Sequence, residues 1–128
     1  MFGEKEIYGQ EELCFDDKNR ILLPHFTKAQ RGDSLLIIEE DNFISIYEKN
    51  VYINKIKEIQ EKIDNCTDLF ESEILELKLM LMYYDVIKEV RCDSQKKISL
   101  NNIPILKEKF ICEGAGDHLI LKVKKIAK

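Results

Sequence analysis

Apolar residues in this chain fall into short runs near both ends and into long periodic stretches in the middle. Leu35-Leu36-Ile37-Ile38 and Ile44-Ser45-Ile46-Tyr47 are short, rich in β-branched and aromatic residues, and bounded by turn residues, which predicts strands. Leu119, Leu121 and Val123 alternate with Ile120, Lys122 and Lys124, the pattern of a half-buried strand. Asp17-Lys18-Asn19 reads as a hairpin-like turn joining residues 13–16 to residues 20–23, with Asn19 able to take the left-handed conformation such a turn needs. In the middle, Tyr52, Ile56, Ile59 and Ile63 share one helical face, with Asn50 as the expected N-cap and residues 64–67 as the break. Phe70, Ile74, Leu77, Leu81 and Tyr84 then follow at spacings of four, three, four and three, and predict a second helix that stops near Glu89. Around residues 79–84 this helix is apolar on all sides. Such a helix is either buried beneath the rest of the chain or meets another subunit.

The two ends repeat each other. Phe15-Asp16-Asp17-Lys18-Asn19-Arg20-Ile21-Leu22-Leu23 aligns with Cys92-Asp93-Ser94-Gln95-Lys96-Lys97-Ile98-Ser99-Leu100 at an offset of 77. After each comes a stretch suited to a helical turn (25–31 and 103–109), then a strand, a polar turn and a strand (35–38, 39–42 and 43–47; 110–112, 113–117 and 118–123). The chain therefore divides into a first copy over 1–49, a helical linker over 50–89 and a second copy over 90–128, within a single domain. A copy of this size buries too little surface to fold alone, so each needs the other. Two half-barrels that close on one another also remove exposed sheet edges.

Composition narrows the function. With 45% hydrophobic and 34% charged residues, the chain has an ordinary globular balance, which excludes disorder as its main state. The net charge of −4 excludes a uniformly basic nucleic-acid binder. Residues 1–64 carry 9 Lys/Arg and 14 Asp/Glu, whereas residues 65–128 carry 11 and 10, so any polyanion site is a local basic patch. The opening residues lack the apolar stretch of a secretory signal, and the longest apolar run is far short of the roughly 20 residues of a membrane helix. A cytosolic protein is expected. Cys14, Cys66, Cys92 and Cys112 form no close pair and read as core thiols rather than disulfides or metal ligands. His25 and His118 lie in no nucleophile motif, and no phosphate-binding glycine loop is present apart from the weak Gly114-Ala115-Gly116 turn. No cofactor, metal or catalytic residue is expected. An enzyme would require distant carboxylates such as Asp16 and Asp93 to converge in a cleft.

At the duplicated segment the chain resembles MraZ, a two-copy family within the AbrB/SpoVT swapped-hairpin group of bacterial transcription factors. Met1-Phe2-Gly3-Glu4 resembles the family start. Asp16-Asp17-Lys18-Asn19-Arg20 followed by Pro24, and Asp93-Ser94-Gln95-Lys96-Lys97, resemble the family's hairpin motif Asp-x-x-x-Arg. Asn19 and Lys96 stand where the family has glycine, and Lys97 where it has Arg. The resemblance implies a mainly β fold with helices (α+β): a pseudo-twofold swapped-hairpin β-barrel built from two AbrB-like repeats, with two central helices. It also implies a cytoplasmic, nucleoid-associated regulator that binds repeated promoter sites on double-stranded DNA as a ring-like homo-oligomer.

Lys18 and Arg20 in the first copy and Lys97 in the second occupy the matching positions, with Lys28 and Lys96 close by. Asp16 and Asp93 are then structural turn residues. Lysine supplies a mobile charge for phosphates, and arginine a planar fork that matches guanine. Other readings stand beside these. Lys18 and Lys96 are equally ordinary as solvated turn residues, and Arg20 has a competing role as the partner of Asp16. The basic tail Lys122, Lys124, Lys125 and Lys128 is either a second phosphate contact or a solvated terminus. The weakened second motif and the negative charge leave one rival function, a diverged relative that acts as a protein-interaction module without binding DNA.

Overall fold

The computed structural model of the chain describes residues 2–3, 6–40, 43–100 and 109–123. Its elements are β1 (Gln10–Leu13), β2 (Arg20–Leu22), a 3₁₀ turn (His25–Thr27), β3 (Ser34–Glu39), β4 (Phe43–Glu48), α1 (Lys49–Asp64), α2 (Leu69–Tyr84), β5 (Val86–Arg91), β6 (Lys97–Ser99), β7 (Phe110–Gly114) and β8 (His118–Val123). The fold is α+β, with antiparallel sheets and two helices. The expected helical turn over 103–109 and the tail residues Lys124, Lys125 and Lys128 fall largely or wholly outside the described residues.

The strands form a six-stranded sheet in the order β1-β7-β8-β4-β3-β5 and a two-stranded ribbon, β2-β6. The first strand of each copy lies on the third strand of the other, β1 on β7 and β5 on β3, while β4 and β8 meet at the centre. The residues 15–23 and 92–100 that align in sequence also meet in space, because Arg20, Ile21 and Leu22 pair with Ser99, Ile98 and Lys97. The closed barrel is not formed: the edge strands β1 and β5 have no pairing with each other.

Apolar pattern explains the layers. β3 is buried on both faces. Leu35 and Ile37 enter the main core with Ile21, Ile44, Ile46, Ile98, Phe110, Leu119 and Leu121, while Leu36 and Ile38 pack beneath Tyr52 of α1. A strand covered on both sides has to be a continuous apolar run, and residues 35–38 are one. In α1 the expected face is the buried one, with Tyr52 and Ile59 innermost. The cap is Glu48, not Asn50. Its carboxylate accepts from the Asn50 and Val51 amides at 2.9 and 3.2 Å, because β4 runs directly into the helix and starts it two residues earlier.

Two further expectations are corrected. The first strand lies at Gln10–Leu13 rather than 13–16 and pairs with β7, so residues 17–19 turn the chain without joining two paired strands. The second helix ends at Tyr84, and β5 occupies what was read as its last turn. Val86 and Val90 are β-branched and find partners on β3, and this tertiary pairing overrides helical continuation.

Helix α2 lies with Ser72, Leu75, Leu79 and Met82 half-buried and Phe70, Ile74, Leu77, Leu81 and Tyr84 exposed. The periodic stripe therefore faces outward and is not buried beneath the two copies. Tyr52 ties the helix pair together by donating its hydroxyl to the Met82 carbonyl at 2.7 Å. Only two cysteines are core thiols. Burial pushes the Cys92 thiol up to about 11 and raises that of Cys112 further, whereas Cys14 is exposed and Cys66 half-buried. Among the described residues no helix is long and apolar enough to cross a membrane.

Candidate nucleic-acid interface

The two copies of the hairpin motif fold as near-identical turns. Asp16 Oδ1 accepts from the amides of Lys18 and Arg20, both at 2.9 Å. Asp93 Oδ1 accepts from the amides of Gln95 and Lys97 at 2.8 and 2.9 Å. The main chain closes each loop in the same way, Asn19 donating to the Asp16 carbonyl and Lys96 to the Asp93 carbonyl. Both loops need a left-handed residue at the fourth position, and Asn19 and Lys96 take φ values of 58° and 61°. The expected tolerance at Asn19 is therefore used. For Lys96 the same conformation is strained by its Cβ, at roughly 1–2 kcal/mol.

Each turn is also tied to the other copy. The carbonyl of Asn19 accepts from the Leu100 amide at 3.0 Å, and that of Lys96 from the Leu23 amide at 2.9 Å. Between the turns sits a cluster of four charges. Arg20 donates through Nε to Asp16 Oδ2 at 3.0 Å and through Nη1 to Asp93 Oδ2 at 3.2 Å, and Lys97 Nζ reaches Asp16 Oδ2 at 3.4 Å. One guanidinium thus bridges the carboxylates of both copies. Asp16 and Asp93 hold the turns through the amide hydrogen bonds they accept. Arg20 takes the competing role of carboxylate partner, and Lys97 joins it.

The remaining cations lie differently. Lys18, Lys28 and Lys96 are exposed and have no carboxylate partner among the described residues. Lys28, left-handed at the end of the 3₁₀ turn, and Lys96, from the opposite copy, line one hollow of about 140 Å³ with Leu23, Pro24, His25 and Gln30. Lys18 stands on the first turn, outside this hollow. The pairing of β2 with β6 brings Lys28 and Lys96 together. Sequence reasoning gave no role to His25 or Gln30, and only the position of the 3₁₀ turn beside the second copy reveals them. A larger hollow of about 410 Å³ between the helices mixes Lys55, Lys62 and Lys78 with Glu40, Glu58 and Asp85, so it has no charge bias toward an anion. Asp16 and Asp93 share the bridging guanidinium, so both carboxylates are engaged within the chain. No protein-family profile and no curated protein matches the chain.

The cluster makes stability depend on acid. The Arg20 amide bonded to Asp16, with the Lys18 amide and the Lys97 and Arg20 side chains, overcomes partial burial and lowers the carboxyl from 3.8 to about 2. The Lys97 amide also lowers the Asp93 carboxyl, against partial burial, with help from the Gln95 amide and the charges of Arg20 and Lys97. The folded state holds these protons more weakly than the unfolded chain. Their stabilisation is complete above the unfolded value of 3.8 and is lost as pH falls below it, toward about 2 for Asp16. Urea-unfolding midpoints measured across that window are expected to fall more steeply for the parent chain than for Asp16→Asn. Equal slopes would show that the cluster carries no linked stability.

Proposed function

We propose that this chain is an MraZ-like, homo-oligomeric DNA-binding regulator of the swapped-hairpin type, associated with the nucleoid. The carrying observation is the pair of turns held side by side by the Asp16, Arg20, Asp93 and Lys97 cluster, beside exposed and unpaired Lys18, Lys28 and Lys96. Lys18, Lys28 and Lys96 contact phosphates. Arg20 and Lys97 are positioning residues that fix the two turns relative to each other. Arg20 still has N–H donors beyond the two it uses within the chain, and these are suited to a base edge.

Three phosphate contacts per subunit bind weakly, and a ring that presents the same turns to successive DNA repeats raises the effective concentration of each. Three contacts give a slope of log affinity against log salt of about −2.7 per subunit. Fluorescence anisotropy on the DNA upstream of the chain's own gene, at low and high salt, tests this. Replacing Lys18, Lys28 and Lys96 together by Ala is expected to weaken binding at least tenfold or so and to flatten the salt slope. Lys96→Gly separates charge from fold. It relieves the left-handed strain, raising stability by about 1 kcal/mol, yet weakens DNA binding. No binding at low salt, or binding indifferent to the triple substitution, refutes the DNA reading.

One observation favours the rival, a protein-interaction module. Arg20 and Lys97 are already engaged by carboxylates in a chain of net charge −4. A protein partner captured without nucleic acid, together with no DNA binding at low salt, would select it.

A further inference from the structure

The outward stripe of α2 is unusual for a surface helix. Phe70 is 72% exposed, Leu77 59% and Tyr84 84%, and Ile74 and Leu81 complete the row. Their spacing of four, three, four and three is that of a coiled-coil seam, and Leu69, Met80 and Tyr83 are exposed beside it. The core-facing side is a different set of residues, Ser72, Leu75, Leu79 and Met82, and of the stripe Leu81 also lines the hollow between the helices.

Two charged residues flank the seam. Glu73 lies on one side and Lys78, which also borders the hollow that holds Glu58 and Asp85, on the other; both are exposed, and neither has an ion-pair partner among the described residues. Nor do they have one in their own helix. The residues three and four away from Lys78 are Ile74, Leu75, Leu81 and Met82, and those around Glu73 are Leu69, Phe70, Glu76 and Leu77. In a parallel pair of such helices, opposite flanks meet across the seam, so Glu73 of each copy meets Lys78 of the other. In an antiparallel pair like flanks meet, and Lys78 faces Lys78. Only the parallel arrangement satisfies both charges.

We propose that α2 is a dimerisation helix that pairs in parallel with α2 of a second copy of this chain. Phe70, Ile74, Leu77, Leu81 and Tyr84 form the apolar seam, and two symmetry-related Glu73–Lys78 pairs set its direction. The interface is isologous and closes after two copies, so a larger ring uses another surface in addition. The proposal goes beyond the DNA reading and stands without it.

Sedimentation equilibrium on the full chain tests it. The parent protein is expected at twice 15.1 kDa or an even multiple of that mass. Leu77→Glu, at an exposed position, leaves the circular dichroism unchanged and weakens association at least tenfold or so. Glu73→Lys and Lys78→Glu each weaken it about three- to tenfold, since each places like charges together twice, and the combined exchange restores it. A species of 15.1 kDa at every concentration overturns the proposal, as does an assembly mass that Leu77→Glu leaves unchanged. Association that the double exchange fails to restore overturns the parallel seam. Loss of DNA binding in variants that still dimerise bears on the DNA reading alone.

Discussion

Ile98→Ala is expected to lower the unfolding free energy by about 2–5 kcal/mol, as for other fully buried aliphatic side chains. Ile98 and Ile21 face each other at the centre of the β2–β6 ribbon, and both are essentially inaccessible to water. The ribbon has three residues per strand, so no neighbouring rung compensates for the missing methyl groups. A typical domain has only about 5–15 kcal/mol to lose. The effect also reaches the turns, because the Leu23 and Leu100 amides that clamp the Lys96 and Asn19 carbonyls leave the ends of the same two strands. Urea titration gives the loss of stability, and faster hydrogen exchange at Leu23 and Leu100 shows the loosened clamp. Ile21→Ala should match it, and the double variant should cost less than the sum, because the two side chains share one contact. Strict additivity would mean that the ribbon is not a single packed unit.

Gly114→Val is expected to destabilise the chain by at least about 2 kcal/mol through overpacking against main chain. A Cβ on Gly114 would lie 2.5 Å from the carbonyl oxygen of Ile7 and 2.7 Å from its carbonyl carbon. A flexible side chain can move aside, but these atoms cannot do so without breaking a hydrogen-bonded bridge. Ile7 and Gly116 exchange bonds of 2.6 and 3.0 Å, and the Gly114 amide donates to the Gly9 carbonyl at 2.9 Å. The segment at Ile7 would lift from the β7–β8 turn and expose a side chain that is almost completely buried. Such an exposure costs about 1.5–3 kcal/mol. Limited proteolysis should then cut this segment first, before the sheet unfolds. A variant as stable and as resistant as the parent would show that the segment accommodates the extra volume.

Much of the architecture is legible in the residues. β3, β4, β7 and β8 announce themselves because short β-branched runs between turn residues have few alternatives. The repeat at Asp16 and Asp93 marks the turns, and Asn19 marks a left-handed position. Pairing is less legible. A local reading joins β1 to β2, whereas β1 belongs to β7 and β2 to β6, partners about 75–100 residues away that local pattern cannot choose between. β5 is hidden because Asp85 alone separates it from α2, and Val86 and Val90 suit either state until β3 is alongside. Glu48 is hidden as a cap because it also ends a strand. The site divides in the same way. Asp16, Arg20, Asp93 and Lys97 are named by the motif, but whether Arg20 faces outward or bridges two carboxylates depends on the distance between copies. The shared hollow of Lys28 and Lys96 follows from the pairing of β2 with β6 and has no signature in either copy.

The bridging guanidinium has a consequence for how this molecule changes over generations. Two separate but identical chains meeting at such a cluster would carry the same residue in both turns, and any mutation would strike twice. Here one polypeptide supplies both sides, so Arg20 serves as the fork in one turn while Lys97 stands at the matching position of the other. The halves are free to differ at the joint without it failing in both places at once.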